Sequence, residues 1–401
     1  MVTGDGAYIK KINRSLILKE IVKHGYISRA DLSKTTGLNK ATISVQVSDL
    51  LEEKLVYETK HEHQAIGRRP IMLSINAQVG YVLGIDLDYP TTQFTISDLA
   101  GTPVEHHIIQ LDTKDYNTVT KLIADQIDTY KERYSHALYG LISAIIGVHG
   151  TINTDESLHF IPKFNWRKKD LKATLLQSVD LPITIENNAN LAAYSERVYN
   201  HHQDYDLLSI LLTSGIGVGI IINGGLYKGY HGYAGEMGHM IISPDGKPCS
   251  CGNHGCWERY ASEPRILDEL SVTLNKPNLS FDDIQEFIDE QNLQVVECFK
   301  RFIKYLAIGI NNIINMHNPE TIVLNSKLLK LYPKAIEELK SHLNCSISRY
   351  RNIVLSDLAD RACVLGACAL AIEQFLEVPE LILTIPEAAL HLEATESPLT
   401  V

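Results

Sequence analysis

The feature that most constrains the fold is a cluster of cysteine and histidine residues within the stretch 235–258, GEMGHMIISPDGKPCSCGNHGCWE. Three thiolates and one imidazole form a ligand set that suits tetrahedral zinc. Gly252 and Gly255 allow the backbone to turn tightly enough to bring the last two cysteines to one ion. We therefore predict a zinc-binding knuckle, and its ligands are His239, Cys249, Cys251 and Cys256.

Two other interpretations of these cysteines are weaker. Reduced thiols without a metal have no reason to cluster, whereas three of the seven cysteines fall within this one short stretch. A disulfide framework is disfavoured because seven is odd and the N-terminus lacks the apolar core of a secretory signal. The remaining cysteines are spread through apolar or helical sequence: Cys298, Cys345, Cys363 and Cys368.

Charge is distributed unevenly along the chain. The 401 residues are enough for two or three domains, and the formal net charge is −11. Residues 1–75 hold 12 basic and 8 acidic side chains, a charge of +4, whereas the remainder holds 25 basic and 40 acidic ones, a charge of −15. A basic head before an acidic body indicates that the head meets a polyanion. No apolar run reaches the roughly 20 residues that a membrane span needs, so we expect a cytoplasmic protein.

The basic head has the pattern of a winged helix-turn-helix domain. Apolar residues at helical spacing predict three helices, and Gly25 and Gly37 mark the turns between them. Ser28 caps the second helix, and two short strands follow the third. The predicted helices and strands lie, in order, at residues 8–24, 29–35, 40–54, 55–59 and 71–75. This order predicts a DNA-binding domain over residues 1–76.

Two parts of the head are candidate DNA contacts. Short or flexible hydrogen-bonding side chains open the third helix, whose N-terminal end enters the major groove in this class of domain; a solvated helix face is the alternative. The loop Gly67-Arg68-Arg69-Pro70 suits a narrow minor groove, or else a hinge clamp between head and body. The predicted DNA-contacting residues, two of them at the start of the second helix, are Ser28, Arg29, Asn39, Lys40, Thr42, Ser44, Gln46, Arg68 and Arg69.

The rest of the chain has the pattern of an α/β body with two similar lobes. Three consecutive strands over 81–110, then a helix and a strand ending at Val148, predict a mixed sheet. A strand, a Gly-rich turn and a second strand over 207–222 repeat that opening, as expected of a duplicated fold. The expected domains are a first lobe at 77–188, a second lobe with the knuckle at 189–377, and a frayed or disordered tail at 378–401.

The knuckle and its flanks carry a resemblance to a known family. Glu236 and Glu258 are carboxylates of the kind that grip sugar hydroxyls, although taken alone they fit solvated surface charge equally well. The pattern GExGH followed by CxCGxxGCxE resembles the ROK family of bacterial sugar kinases and transcriptional repressors, and the resemblance spans roughly residues 8–376. Head segments such as Ile27-Ser28-Arg29-Ala30 resemble the xylose-repressor branch of that family.

The resemblance implies a fold and a set of roles. It implies an actin- or hexokinase-like body, zinc on the four ligands named above, and a homo-oligomer built on a dimer, which suits a pseudo-palindromic operator. It also implies a monosaccharide effector, with xylose favoured, bound between the two lobes. The residues that it assigns to the sugar, with Asn188 as an addition, are Asn187, Asn188, Glu236, His239 and Glu258.

The sequence departs from the family's kinases where catalysis depends on it. Asp86-Leu87-Asp88-Tyr89-Pro90 stands where those kinases have a Gly-rich phosphate-binding turn, so we expect no nucleotide there. Asn188 replaces the aspartate that takes the proton from the sugar hydroxyl, and an amide cannot act as that base. His149 replaces a family proline, and Lys163 also departs from the pattern.

These observations favour a DNA-binding transcriptional repressor of sugar-utilisation genes rather than an enzyme. The leading hypothesis is that a bound monosaccharide releases the repressor from its operator, for which it must bind the two states of the protein unequally; the sequence itself leaves open whether the sugar releases DNA or tightens binding. The alternative is a ROK-type ATP-dependent sugar kinase with an appended DNA-binding domain. The Gly-rich stretch 213–219 is a second phosphate-loop candidate, but turn geometry between paired strands explains it without any ligand.

Overall fold

The computed structural model describes most of the chain. Among these residues no helix is both long enough and apolar enough to cross a membrane. The wing arginines Arg68 and Arg69 lie outside the described residues. The described residues are 6–60 and 70–386, together with 389, 392 and 394–398.

The chain divides into two compact units. Unit 1 contains the head and the first lobe, and unit 2 contains most of the second lobe with the knuckle. Unit 1 comprises Met1–Asn187, Val198–Asn200 and Val364–Val401, and unit 2 comprises Asn188–Arg197 and His201–Cys363.

Three helices form the start of unit 1, and local hydrogen bonds fix where they begin and end. The Ser28 hydroxyl oxygen accepts a hydrogen bond of 3.1 Å from the backbone N–H of Asp31 and so caps the second helix. Gly37 ends that helix at a φ of 70°, a conformation that glycine adopts without strain. Asn39 caps the third helix by accepting from the N–H of Thr42 at 2.8 Å. The helices are α1 (Gly6–His24), α2 (Arg29–Thr36) and α3 (Lys40–Glu52).

A small antiparallel sheet completes the head. Its strands are β1 (Ile27–Ser28), β2 (Val56–Thr59) and β3 (Met72–Ile75). They pair in the order β1-β3-β2, and the two-residue strand β1 was not predicted from the sequence. Apolar residues of the three helices and the sheet form a fully buried core, among them Ile17, Leu18, Ile21, Leu32, Val47, Leu50 and Leu73. The arrangement is the winged helix-turn-helix that the sequence predicts.

A mixed six-stranded sheet forms the core of the rest of unit 1. The predicted strands are confirmed to within about two residues at each end. The elements of this lobe are β4 (Tyr81–Leu87), β5 (Thr91–Asp98), β6 (Pro103–Gln110), α4 (Tyr116–Arg133), β7 (Leu141–Val148), β8 (Thr151–Ile152), β9 (Leu158–Ile161), β10 (Trp166–Lys169), α5 (Leu171–Leu175) and β11 (Ile183–Asn187). Strands β8, β9 and β10 form a separate three-stranded sheet.

Unit 2 is built around a five-stranded sheet covered by helices. The longest of these helices begins at Leu293, and its buried face includes Phe299, Phe302 and Ile310. The elements of unit 2 are α6 (Asn188–Ser195), β12 (Leu207–Leu211), β13 (Gly217–Ile222), β14 (Gly225–Leu226), α7 (Glu258–Ala261), α8 (Glu263–Thr273), α9 (Phe281–Asp289), α10 (Leu293–His317), β15 (Thr321–Asn325), α11 (Lys327–Leu331), α12 (Ala335–Ser341) and β16 (Asn352–Leu355).

The two units repeat one strand arrangement. In unit 1 the order is β11-β7-β4-β5-β6, and in unit 2 it is β16-β15-β12-β13-β14. In each unit the first three strands are antiparallel, the fourth runs parallel to the first, and the fifth runs parallel to the fourth. This repetition is the duplicated α/β body predicted from the sequence.

The C-terminal part of the chain differs from the expected domain boundaries. The last helix, α13 (Ala362–Leu376), belongs from Val364 onward to unit 1 rather than to the second lobe. A Cβ on Gly84 would lie 2.3 Å from the carbonyl oxygen of Val364, so only glycine lets β4 and α13 approach so closely. The expected tail is not simply frayed, because Thr395–Pro398 forms β17 and pairs in parallel with the edge strand β6.

Candidate functional site

The knuckle is folded by short backbone contacts rather than by regular structure. Isolated bridges join Ile241 to Cys256 and Pro248 to His254. Gly255 has a φ of 80°, and a Cβ there would lie 1.8 Å from the carbonyl oxygen of Ser243. Glycine is therefore required at this turn for two independent reasons, one conformational and one steric.

Trp257 anchors the knuckle to the body of unit 2. Its side chain is fully buried, and its indole N–H donates to the carbonyl oxygen of Tyr305 on α10 at 3.0 Å. Gly309, one turn further along α10, makes room for the indole ring, because a Cβ there would lie 2.0 Å from a ring atom. The residue next to Cys256 is thus held in a fixed place.

The four predicted ligands come together. The candidate ligand atoms of His239, Cys249, Cys251 and Cys256 all lie within 4.8 Å of one another. The sulfurs of Cys251 and Cys256 are 3.6 Å apart, and the sulfur of Cys249 is 3.5 Å from Nδ1 of His239. Ligands at about 2.3 Å from a tetrahedral zinc ion are separated by about 3.8 Å, so the donor set fits a single ion. The structure supports a metal-binding cluster at the predicted positions.

Two carboxylates converge on the same histidine. Glu236 Oε2 lies 3.7 Å from Nε2 of His239, and Glu258 Oε1 lies 3.6 Å from Nδ1. The thiol of Cys249 donates to Glu258 Oε1 at 3.0 Å. Nδ1 faces the thiols and Nε2 faces Glu236, which is the arrangement of a ligating histidine whose second nitrogen is oriented by a carboxylate. Three of the predicted sugar-contacting residues therefore form one group in unit 2.

The protonation properties of this group reflect crowded negative charge. Burial, with a smaller contribution from the contact with Glu258, raises the pKa of the Cys249 thiol to about 12. Burial also raises the pKa of Glu236, with a further rise from Glu258 that His239 opposes. A cation placed among these groups would relieve both the burial cost and the repulsion.

The other two predicted sugar contacts, Asn187 and Asn188, are consecutive residues assigned to different units. Asn187 ends β11 in unit 1, and its side-chain amide donates to the carbonyl oxygen of Gly150 at 3.0 Å. Asn188 begins α6 in unit 2 and is 8% exposed.

The turn after β4 is occupied by charged residues of unit 1. Nε2 of His149 lies 2.7 Å from Asp86 Oδ1, and Nδ1 lies 3.7 Å from Asp88 Oδ2. Lys163 donates to Asp88 Oδ2 at 2.6 Å. Sequence reasoning marked Asp88, His149 and Lys163 as departures from the kinase pattern but did not find that they bind one another or Asp86. The signal was present in their charges, since an acid, a histidine and a lysine were all departures.

The Gly-rich stretch of unit 2 has a packing explanation. A Cβ on Gly219 would lie 2.1 Å from the carbonyl oxygen of Ala189, and one on Gly217 would lie 3.2 Å from the Ala189 Cβ. A Cβ on Gly215 would lie 3.0 Å from Glu258 Oε2. These glycines let α6 approach β13 and leave space beside Glu258, a role that the sequence analysis did not identify.

The outward face of α3 differs from the predicted one. Lys40 and Ser44 are exposed, and Thr42 is partly exposed, as expected. Gln46 is only 5% exposed and lies on the buried side of the helix, so the prediction that it faces outward is wrong. Sequence spacing alone left Gln46 at the edge between the two faces, and the packing of the head decided against exposure.

The remaining predicted DNA contacts in the head are held by other residues. Ser28 is buried as the cap of α2, and its hydroxyl donates to Asp31, so its predicted place on the DNA-contacting surface is also wrong. Asn39 is exposed but its amide oxygen caps α3. Arg29 is partly exposed and pairs with Glu58 on the strand β2.

A winged helix-turn-helix head joined to a duplicated α/β body with a Cys/His knuckle defines the DNA-binding branch of one protein family. A model described as the ROK family matches residues 82–374, and one described as winged helix-turn-helix DNA-binding matches residues 12–57. The chain belongs to the ROK family.

Sequence relatives and solved structures agree with this assignment. The chain is 37% identical to the xylose repressor of Bacillus subtilis over 383 residues, which cover 94% of this chain and 99% of that protein. It is similar to the crystal structure of a ROK family transcriptional regulator, a homolog of the E. coli MLC protein, with a TM-score of 0.78, 25% identity, and coverage of 92% of this chain and 96% of that one. A ROK family glucokinase from Streptomyces griseus shares the fold, with a TM-score of 0.64 and 23% identity over 73% of this chain and 99% of its own.

Proposed function

We propose that this protein is a transcriptional repressor of sugar-utilisation genes that a monosaccharide, with xylose favoured, releases from operator DNA. The observation that carries the proposal is the combination, in one chain, of a winged helix-turn-helix head with a ROK body whose Glu236, His239 and Glu258 converge. The full-length similarity to a protein named xylose repressor supports the choice of sugar.

Zinc is the proposed ion of the knuckle. His239, Cys249, Cys251 and Cys256 would hold it, and four protein ligands leave no open position for catalysis. When bound, zinc supplies positive charge that stabilises thiolates. Nδ1 of His239 lies beside Cys249 Sγ and Nε2 lies beside Glu236, so a histidine that held the ion would keep its place next to that carboxylate. In this way the knuckle holds the sugar-binding carboxylates in place.

The sugar contacts are proposed from hydrogen-bonding capacity. Glu236 and Glu258 each offer two acceptor oxygens, which suits the paired hydroxyls of a monosaccharide. Asn187 and Asn188 remain proposed contacts because an amide both donates and accepts. Hydrogen bonds to charged acceptors are stronger than those to neutral amides, so we expect the two carboxylates to contribute most of the affinity.

We also propose that the protein is not a sugar kinase. Asp88 places negative charge at the turn where a phosphate group would approach, and the neighbouring Lys163 is already engaged by that carboxylate. Asn188 supplies no base for the sugar hydroxyl. The kinase fold is retained without the residues that phosphoryl transfer requires.

The protein is further proposed to act as a dimer in the cytoplasm. A helix-turn-helix head reads one half-site, and two-fold symmetry lets two heads read a pseudo-palindrome. Lys40 and the exposed start of α3 would lie in the major groove of each half-site.

The test is a titration of sugars into the protein bound to its own upstream promoter fragment, followed by fluorescence anisotropy. Xylose should release the DNA, whereas equal concentrations of arabinose and glucose should not. Glu236→Gln should weaken the response to xylose by roughly tenfold or more, because a hydrogen bond to a charged acceptor is lost. The matched control Glu269→Gln changes an exposed carboxylate paired with Arg301 and should leave the response unchanged. Promoter binding that no sugar alters would overturn the effector role, and absence of promoter binding would overturn the repressor role.

A further inference from the structure

The outward face of the recognition helix α3 is short and uncharged at its centre. Residues three and four positions apart lie on one side of a helix. The exposed residues at this spacing are Ala41, Ser44, Val45 and Ser48. The opposite side is buried and holds Ile43, Gln46, Val47 and Leu50.

Val45 stands out on this face. Its side chain is 57% exposed, and among the described residues of α3 it is the only large apolar side chain in the exposed class. The head core is closed beneath it by fully buried aliphatic residues such as Leu50 and Leu32, so Val45 contributes nothing to that core. The exposed side chain of Val45 can therefore contact a partner.

Long hydrogen-bonding side chains are absent from the centre of this face. Gln46 is buried, and the amide oxygen of Asn39 is used to cap the helix. Ser44 and Ser48 are short, so they let the helix backbone come close to whatever it meets. A face of this kind recognises its partner by shape and apolar contact more than by hydrogen bonds from long side chains.

The major groove of DNA offers one apolar group for such contact. The four base pairs differ there in their donors and acceptors, and thymine alone presents a 5-methyl group. We propose that Val45 reads a thymine of the operator half-site through contact between its isopropyl group and that methyl group. This inference rests on the proposed operator binding and adds the base that the centre of the helix selects.

The test replaces the thymines of the bound promoter fragment by deoxyuracil, one at a time, which removes the methyl group and nothing else. Dissociation constants are measured by anisotropy at one salt concentration. For the unmodified protein, replacement at one position in each half-site should weaken binding about fourfold per methyl group, since that is the value of burying one such group. Val45→Ala should bind the unmodified fragment more weakly and should show no penalty at that same position.

Two controls separate recognition from folding. Val45→Thr retains one methyl group and should keep part of the deoxyuracil penalty. Ile12→Ala removes another exposed apolar side chain of the head, on α1, and should keep the whole penalty. Circular dichroism melting of all three variants shows whether the head is folded.

The outcomes distinguish this inference from the proposed function. If the protein binds the fragment but no deoxyuracil position matters, or if Val45→Ala keeps the penalty, thymine reading by Val45 is wrong while operator binding stands. If the protein binds no promoter fragment at all, operator binding fails and the inference fails with it.

Discussion

Two clusters of ionisable side chains, one in unit 1 and one in unit 2, differ in how their charge is balanced. In unit 1, Asp86 and Asp88 face His149 and Lys163, so acids and bases satisfy one another. In unit 2, three thiols and the carboxylates of Glu236 and Glu258 surround His239 alone. The first cluster, here called the closed cluster, is balanced by protein groups, whereas the second has the donor set of a cation site.

The difference shows how one duplicated fold can serve two purposes. The two sheets share one strand order, but their clusters differ in residue type. A charge-balanced cluster offers no net positive charge to a phosphate group, whereas a cluster of thiols and carboxylates suits a cation. Four changes test this contrast.

Loss of the cation should have the largest effect. Cys256→Ser removes a buried ligand, and we expect loss of the bound zinc and a decrease of about 5 kcal/mol or more in the stability of unit 2, because metal binding is coupled to folding of the ligands. The measurements are metal content by atomic absorption and thermal unfolding with and without a chelator. Cys345→Ser, at an exposed cysteine outside the cluster, is the control and should retain metal and stability. Equal metal content in both variants would show that the cluster is not a metal site.

Breaking the charge balance of the closed cluster, which consists of Asp86, Asp88, His149 and Lys163, should have the next largest effect on stability. His149→Ala leaves the buried carboxylate of Asp86 without its 2.7 Å partner. An unpaired buried charge is costly, so we expect a decrease of about 2–4 kcal/mol in the free energy of unfolding. Urea unfolding followed by circular dichroism measures it. A decrease below about 0.5 kcal/mol would mean that the cluster does not balance its charge in the way described.

Changing the protonation of His149 with pH should alter the free energy of unfolding less than removing the whole imidazole ring does. Burial lowers the pKa of His149, but Asp86 and Asp88 outweigh burial, and the net pKa is raised above the usual 6.5 even though Lys163 opposes the rise. The protonated ring therefore stabilises the folded state fully below about pH 6.5, and this stabilisation is lost as the pH rises through the folded pKa.

The corresponding measurement compares the protein with His149→Gln at several pH values. The difference in unfolding free energy between the two should be largest near pH 6 and should shrink as the pH is raised toward about 9. A difference that grows with pH would contradict this sign and show that the folded protein favours the neutral form of His149.

The smallest effect is expected from an exposed ion pair in unit 2. Glu297 and Lys300 lie 3.5 Å apart on α10, with side chains that are 62% and 52% exposed. Glu297→Gln should change the free energy of unfolding by no more than about 0.5 kcal/mol, because water screens such pairs. A larger change in urea unfolding would show that charge itself, rather than burial and pairing, determines the effects in the two clusters.

Local patterns in the sequence predicted much of this molecule. The four candidate ligands of the knuckle are close in sequence, so their spacing and chemistry were sufficient to predict that they lie together. The three head helices followed from apolar spacing and from capping residues such as Asn39. Gln46 was misplaced because a residue at the edge of a helical stripe is buried or exposed according to its tertiary neighbours, which spacing does not specify.

Long-range pairing accounts for what the sequence did not predict. The strand β17 is polar and short, and only the edge of β6, far away in the chain, makes it a strand. The sequence also did not show that α13 packs in unit 1 against Gly84. The closed cluster of unit 1 likewise joins Asp86 on β4 to His149 at the end of the neighbouring strand β7, residues that are distant in the chain.

The ion pairs of α1 have a consequence for synthesis of the chain. Lys11 pairs with Glu377 at 2.8 Å and Lys19 pairs with Glu380 at 2.6 Å, both within unit 1. Residues 6–75 emerge from the ribosome and fold first, yet their partners follow some 300 residues later, roughly 15 to 60 seconds at typical rates of translation. During that interval the nascent chain carries a folded DNA-reading head that has not met the segment on which it docks. The same head is therefore undocked on the growing polypeptide and docked in the complete repressor.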